Sequence, residues 1–122
     1  MARIIIIDDE PLIRNLVRAT LDFGEHDLIE AQDGKTALAL AAAVPPELVI
    51  LDLNLPGGMS GLEVLKQLRA ANTRARIIVL TGSGGAHEKA VREAGATDFL
   101  TKPFSPLQLI ERIESALGAT RS

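Results

Sequence analysis

The chain has 122 residues, the length of one domain with its own core and no room for a second. It has no cysteine, which excludes disulfides, thiolate catalysis and cysteine-ligated zinc. A net charge of -3 and only three aromatic residues (Phe23, Phe99 and Phe104) argue against direct nucleic-acid binding.

The first apolar run, Ile4 to Ile7, is bounded by charge and short enough for a strand buried on both faces. Pro11 is placed to open a helix, and Leu12, Ile13, Leu16, Val17 and Leu21 are expected to share its buried face, with Gly24 ending it. His26 to Ala31 reads as a weaker strand. Lys35 to Val44 is Ala-rich and helical, stopped by Pro45-Pro46. Leu48 to Leu51 is a third strand. Ser60 can cap a helix carrying Leu62, Leu65 and Leu68, with Glu63 at the capping-box spacing. Ile77 to Leu80 is a fourth strand, Ala86 to Ala94 a short helix ended by Gly95, and Thr97 to Thr101 a fifth strand. The last helix is expected to bury Leu107, Ile110, Ile113 and Leu117 and to stop at Gly118, leaving 119–122 as a frayed tail.

Strand and helix alternate five times. That order implies a doubly wound parallel α/β sheet covered on both faces, in the strand order 2-1-3-4-5 with right-handed crossovers. Sites in such sheets lie beyond the carboxyl ends of the strands. Strand 1 ends in Asp8-Asp9-Glu10, strand 3 in Asp52, strand 4 in Thr81 and strand 5 in Thr101-Lys102-Pro103. Three aspartates, a hydroxyl and an ammonium therefore converge on one crevice. Clustered carboxylates repel and at least one should have a raised pKa. A hard divalent cation such as Mg2+ relieves that repulsion, and a lysine and a hydroxyl can face an anion bound beside the metal. The set suits phosphoryl transfer with a carboxylate nucleophile. Taken singly, each residue has an ordinary structural use: a cap or turn for the acids, a strand end for Thr81, a solvated surface for Lys102. Their convergence favours the functional reading.

These motifs resemble the receiver domains of bacterial response regulators over essentially the whole chain. The pieces are Ile-Ile-Asp8-Asp9-Glu10-Pro, Leu-Asp52-Leu-Asn54-Leu-Pro56, Val-Leu-Thr81-Gly82 and Gly95-Ala-Thr-Asp-Phe99-Leu-Thr-Lys102-Pro103-Phe104. The resemblance implies a flavodoxin-like (βα)5 three-layer fold and a single-domain receiver similar to the chemotaxis regulators, although a receiver detached from a longer regulator would read the same. It implies that Asp52 accepts a phosphoryl group from a sensor histidine kinase or a histidine phosphotransfer protein. Asp8, Asp9, Asp52 and the backbone carbonyl of Asn54 would hold Mg2+. Lys102 would pair with phosphoryl oxygens, and its bond to Pro103 resembles one that is cis in the family. Thr81 and Phe99 would act as switch residues, changing the face of helix 4, strand 5 and helix 5 for a downstream protein. The implied protein is a cytoplasmic monomer or weak dimer that contacts neither nucleic acid nor membrane. It modifies itself and is no enzyme in the sense of turning over a free substrate.

The chain departs from the family pattern in two places. The loop Gly57-Gly58-Met59-Ser60-Gly61 is one residue longer than the common form, and Thr81 to Lys102 is one residue shorter. The glycines of Gly82-Ser83-Gly84-Gly85 predict local mobility there. Asp33-Gly34-Lys35-Thr36 looks like the end of a P-loop but lacks its first glycine and follows the wrong strand. His26 and His87 are isolated and read as surface residues. Three other functions compete. A phosphorylation-independent interaction module on the same fold would need none of these side chains. An aspartyl phosphohydrolase commonly has an acid two residues after its nucleophile, where this chain has Asn54. A flavin or nucleotide carrier would need a phosphate-accepting loop in place of Asp8-Asp9-Glu10-Pro11.

Overall fold

A computed structural model describes residues 3–21, 26–55, 57–71, 74–82 and 88–121. Its elements alternate as β1 (Arg3–Ile7), α1 (Pro11–Leu21), β2 (Asp27–Ala31), α2 (Gly34–Ala43), β3 (Leu48–Asp52), α3 (Gly61–Ala71), β4 (Arg76–Thr81), α4 (Glu88–Glu93), β5 (Asp98–Thr101) and α5 (Pro106–Arg121). The five strands pair in parallel in the order β2-β1-β3-β4-β5. The alternating elements therefore fold as the sequence predicts.

Side chains alternate across the sheet and so divide the core into two layers. Ile4, Ile6, Leu48, Ile50, Ile78 and Leu80 pack with Val17 of α1 and with Leu109 and Ile113 of α5. Ile5, Ile7, Val49, Leu51, Ile77 and Val79 face the other way, onto Ala37 of α2, Val64, Leu65 and Leu68 of α3, and Val91 of α4. This is why the central strands are continuously apolar: both faces are covered, and the polar residues are left to the strand ends.

Helix starts are fixed by side chains just outside them. Asp33 accepts the Thr36 amide at 2.8 Å and caps α2, so the segment that resembles a P-loop is a helix start. Its Gly34 has no room for a side chain, since a Cβ there would lie 2.4 Å from Val64 Cγ2. The longer loop before α3 uses this space: Met59 packs against Gly34, and Gly57 takes a positive φ of 86°. Ser60 Oγ accepts the Glu63 amide at 3.2 Å as expected, while Glu63 Oε1 accepts from Gln67. A reciprocal box opens α5, where Ser105 Oγ accepts from Gln108 N and Gln108 Oε1 accepts from Ser105 N.

Three expectations need correction. Leu12 is 80% exposed, because the buried stripe of α1 runs through Ile13 and Val17 and Leu12 sits about 100° round the helix from Ile13. Leu107 is 63% exposed for a similar reason. The stripe of α5 is Leu109, Ile113, Ala116 and Leu117, with Ile110 half-buried beside it. Finally, α5 runs past Gly118 to Arg121. One glycine costs a helix only about 1 kcal/mol relative to alanine, so it does not have to stop one. Gly24, His87 and the Ser83-Gly84-Gly85 run lie outside the described residues.

Candidate functional site

The strand register brings the predicted residues to one edge. Ile7 of β1 lies beside Leu51 of β3, and Asp52 lies beside Leu80 of β4, so Asp8, Asp52 and Thr81 follow one another across three neighbouring strand ends. Thr81 pairs with Thr101 of β5, and Lys102 is the next residue along. All three of Asp8, Asp52 and Thr81 are buried. Asp9 and Glu10 are exposed at the rim. Carboxylate oxygens of Asp8, Asp9, Glu10 and Asp52 lie within 4.8 Å of one another.

The two buried carboxylates are aimed by local backbone. Asp8 Oδ1 accepts the Glu10 amide at 2.9 Å, and the carbonyl of Asp8 accepts from Arg14 Nη1 at 2.8 Å. Arg14 is held in turn by Glu30 of β2, which also pairs with Arg18. Asp52 Oδ1 accepts the Asn54 amide at 3.1 Å. That leaves Asp52 Oδ2 facing Lys102 Nζ at 3.3 Å. The turn after Asp52 depends on Gly61: a Cβ there would lie 2.5 Å from Leu53 Cα and 2.7 Å from the Asp52 carbonyl oxygen. The start of α3 thus rests directly on the backbone that carries Asp52.

Lys102 is fixed at its backbone by donating to the Thr81 carbonyl at 2.7 Å, and its bond to Pro103 is cis. Its ammonium reaches Glu10 Oε1 at 2.9 Å, Asp52 Oδ2 at 3.3 Å and Asp8 Oδ2 at 3.4 Å. One lysine therefore faces several acids. The carboxyl of Asp8 is raised from 3.8 to about 6. Burial is the main cause, the charges of Asp52 and Glu10 add to it, and the Glu10 amide and Lys102 oppose it. Burial alone would lower Lys102, but its hydrogen bond to Glu10 and the charges of Asp8 and Asp52 leave it raised. Clustered hard oxygens with unneutralised negative charge suit a divalent cation such as Mg2+.

The family model for the response regulator receiver domain matches residues 4–114. The chain belongs to the response-regulator receiver family. It is therefore a receiver of the two-component signalling type. It is 39% identical over 119 residues to the response regulator MprA of Mycolicibacterium vanbaalenii, covering 97% of this chain and 51% of that protein. It is 38% identical over 116 residues to the alkaline phosphatase synthesis transcriptional regulatory protein PhoP of Bacillus subtilis, covering 94% and 48%. The chain spans about half the length of these curated relatives. Among solved structures it resembles the chemotaxis protein CheY4 of Vibrio cholerae, with a TM-score of 0.86 and 32% identity over 95% of this chain and 98% of that one. NtrX from Brucella abortus aligns with a TM-score of 0.90 and 33% identity, over 98% of this chain and 27% of that chain.

Beside the acid site of this receiver, Phe99 lies half-buried on β5 and packs toward the α2–α3–α4 layer. The guanidinium of Arg92 sits 5.2 Å from the centre of its ring. Arg92 also pairs with Glu88 and Asp98, and Asp98 with Arg112, so charge links α4, β5 and α5 across the exposed face. None of the described helices is long and apolar enough to cross a membrane.

The sequence reading missed three contributors. Glu10 holds Lys102, Arg14 holds the carbonyl of Asp8, and Gly61 lets α3 approach Asp52. Glu10 and Gly61 had a visible signal, an acid adjoining the aspartate pair and a glycine at the start of an apolar helix. Arg14 had none, because it lies on α1 and its partner Glu30 on β2.

Proposed function

We propose that this receiver is a Mg2+-dependent phosphoacceptor in which Asp52 takes a phosphoryl group from a histidine kinase or a histidine phosphotransfer protein. The observation that carries this reading is that Asp52, buried beside Asp8, belongs to a cluster of acids and has its Oδ2 3.3 Å from the Lys102 ammonium. Asp52 Oδ2 attacks phosphorus, and the donor's P–N bond (P–O in an acyl phosphate) breaks with its electron pair leaving on the donor. The Asn54 amide keeps Oδ1 occupied, so Oδ2 is the oxygen presented for attack. Asp8, Asp9, Asp52 and the Asn54 carbonyl are the ligands available to Mg2+. Bound there, that ion would supply charge stabilisation to the transferring phosphoryl oxygens. Lys102 pairs with another of those oxygens, and the Thr81 hydroxyl donates to a third.

Movement of Thr81 toward the phosphoryl group makes room for Phe99 to turn inward. Arg92 then loses its ring, and the charge chain across α4, β5 and α5 rearranges into a partner surface. The output is binding of a downstream protein. Likeness to a transcriptional regulatory protein, of which the chain spans about half, supports control of transcription as one candidate for that output. The test is an amide NMR titration with beryllofluoride and Mg2+, which mimics the phosphoryl group. Shifts should extend from Asp52 through Thr81 and Phe99 to α4 and α5. Shifts confined to the acid loops would contradict the switch, and no shifts would favour a phosphorylation-independent binding module.

A further inference from the structure

Lys102 is shared unequally among its acids. Its approach to Glu10, at 2.9 Å, has the length of a charge-assisted hydrogen bond, whereas Asp52 at 3.3 Å and Asp8 at 3.4 Å are more distant. Glu10 is also the partner placed outside the buried pair. Its side chain is 53% exposed, against 18% for Lys102 and 2% or less for Asp8 and Asp52. The Lys102 backbone is tied to Thr81, so only the flexible stem can carry the ammonium between these acids. An ammonium resting fully on Asp8 and Asp52 would supply the positive charge that a divalent cation would otherwise bring, and would cover the oxygens of Asp52.

We propose that Glu10 is a positioning residue that parks the Lys102 ammonium at the rim, keeping the space between Asp8 and Asp52 open for a divalent cation and for the incoming phosphoryl group. The proposal rests on the phosphoacceptor reading above. Its rival is that Glu10 acts on the cation directly, since its carboxylate lies within 4.8 Å of the other acids. The two differ in whether the effect of Glu10 passes through Lys102.

Mg2+ affinity measured by calorimetry at fixed ionic strength, on wild type, Glu10→Gln, Lys102→Met and the double variant, separates them. Without the Glu10 charge, the lysine should fall back onto Asp8 and Asp52. The loss of Mg2+ affinity caused by Glu10→Gln should therefore be at least about threefold larger with Lys102 present than in the Lys102→Met background. Equal losses in both backgrounds, or no loss in either, would overturn the proposal. A second readout needs no change at Lys102. In metal-free Glu10→Gln, the side-chain carboxyl carbon resonance of Asp52 should move as the ammonium settles on it, and an unchanged resonance would also overturn the proposal. Wild type that binds no Mg2+ would remove the phosphoacceptor reading together with this inference. Wild type that binds Mg2+ normally, with no coupling between Glu10 and Lys102, would remove the inference alone.

Discussion

Replacing Asp8 by Asn should separate the cost of the acid cluster from its use. Asp8 is fully buried, and its carboxyl is raised to about 6 from 3.8, chiefly by burial. A raised carboxyl pKa means that the folded state holds the proton more tightly than the unfolded state does. Below about pH 4 the group is protonated in both states and the shift costs nothing. Between pH 4 and 6 the unfolded state releases the proton first, so stability falls as pH rises. Above about pH 6 the full penalty is present. The move from 3.8 to about 6, at about 1.36 kcal/mol per pH unit, amounts to about 3 kcal/mol. Asn cannot ionise, yet its Oδ1 can still accept the Glu10 amide that Asp8 accepts. Lys102 keeps Asp52 and Glu10 as partners. Urea unfolding in EDTA should therefore show Asp8→Asn more stable than wild type by up to about 3 kcal/mol at pH 8, with the gap closing toward pH 4. In Mg2+ the wild type should regain much of the difference and the variant should not. A variant less stable at pH 8, or a gain independent of pH, would refute the reasoning, because it would mean that Asp8 is held by favourable partners rather than by force.

Gly61→Ala should destabilise the receiver by about 2–3 kcal/mol in urea unfolding, since its methyl would meet the backbone of Leu53 and Asp52, which cannot swing aside as a side chain could. Arg69→Met should cost about 1–3 kcal/mol by the same measurement. It leaves the Gly95 and Ala75 carbonyls without the donors that Arg69 supplies at 2.7–3.0 Å. Ser60→Ala should cost about 1 kcal/mol through loss of the α3 cap.

The fold was legible because each layer left its own mark. Ile4 to Ile7, Leu48 to Leu51 and Ile77 to Leu80 are buried on both sides, and continuous burial demands continuous hydrophobicity. The site was legible because acids at the ends of such runs have nowhere else to point. Helix faces were read less well. Leu12 and Leu107 are apolar at helical spacing yet exposed, because a first-turn residue beside the stripe has no sheet under it, and spacing alone does not fix the stripe's edge. The supporting residues were harder still. Arg14, Glu10 and Gly61 act through residues on other elements, and only the folded chain brings those partners together.

The intact mass after incubation with acetyl phosphate tests the role of Asp52 most directly. Wild type with Mg2+ should gain one phosphoryl group. The adduct should be absent when EDTA replaces Mg2+ and absent in Asp52→Ala. A phosphoryl adduct that survives Asp52→Ala, or forms equally well in EDTA, would contradict the assignment of Asp52 as the acceptor at a metal-dependent site.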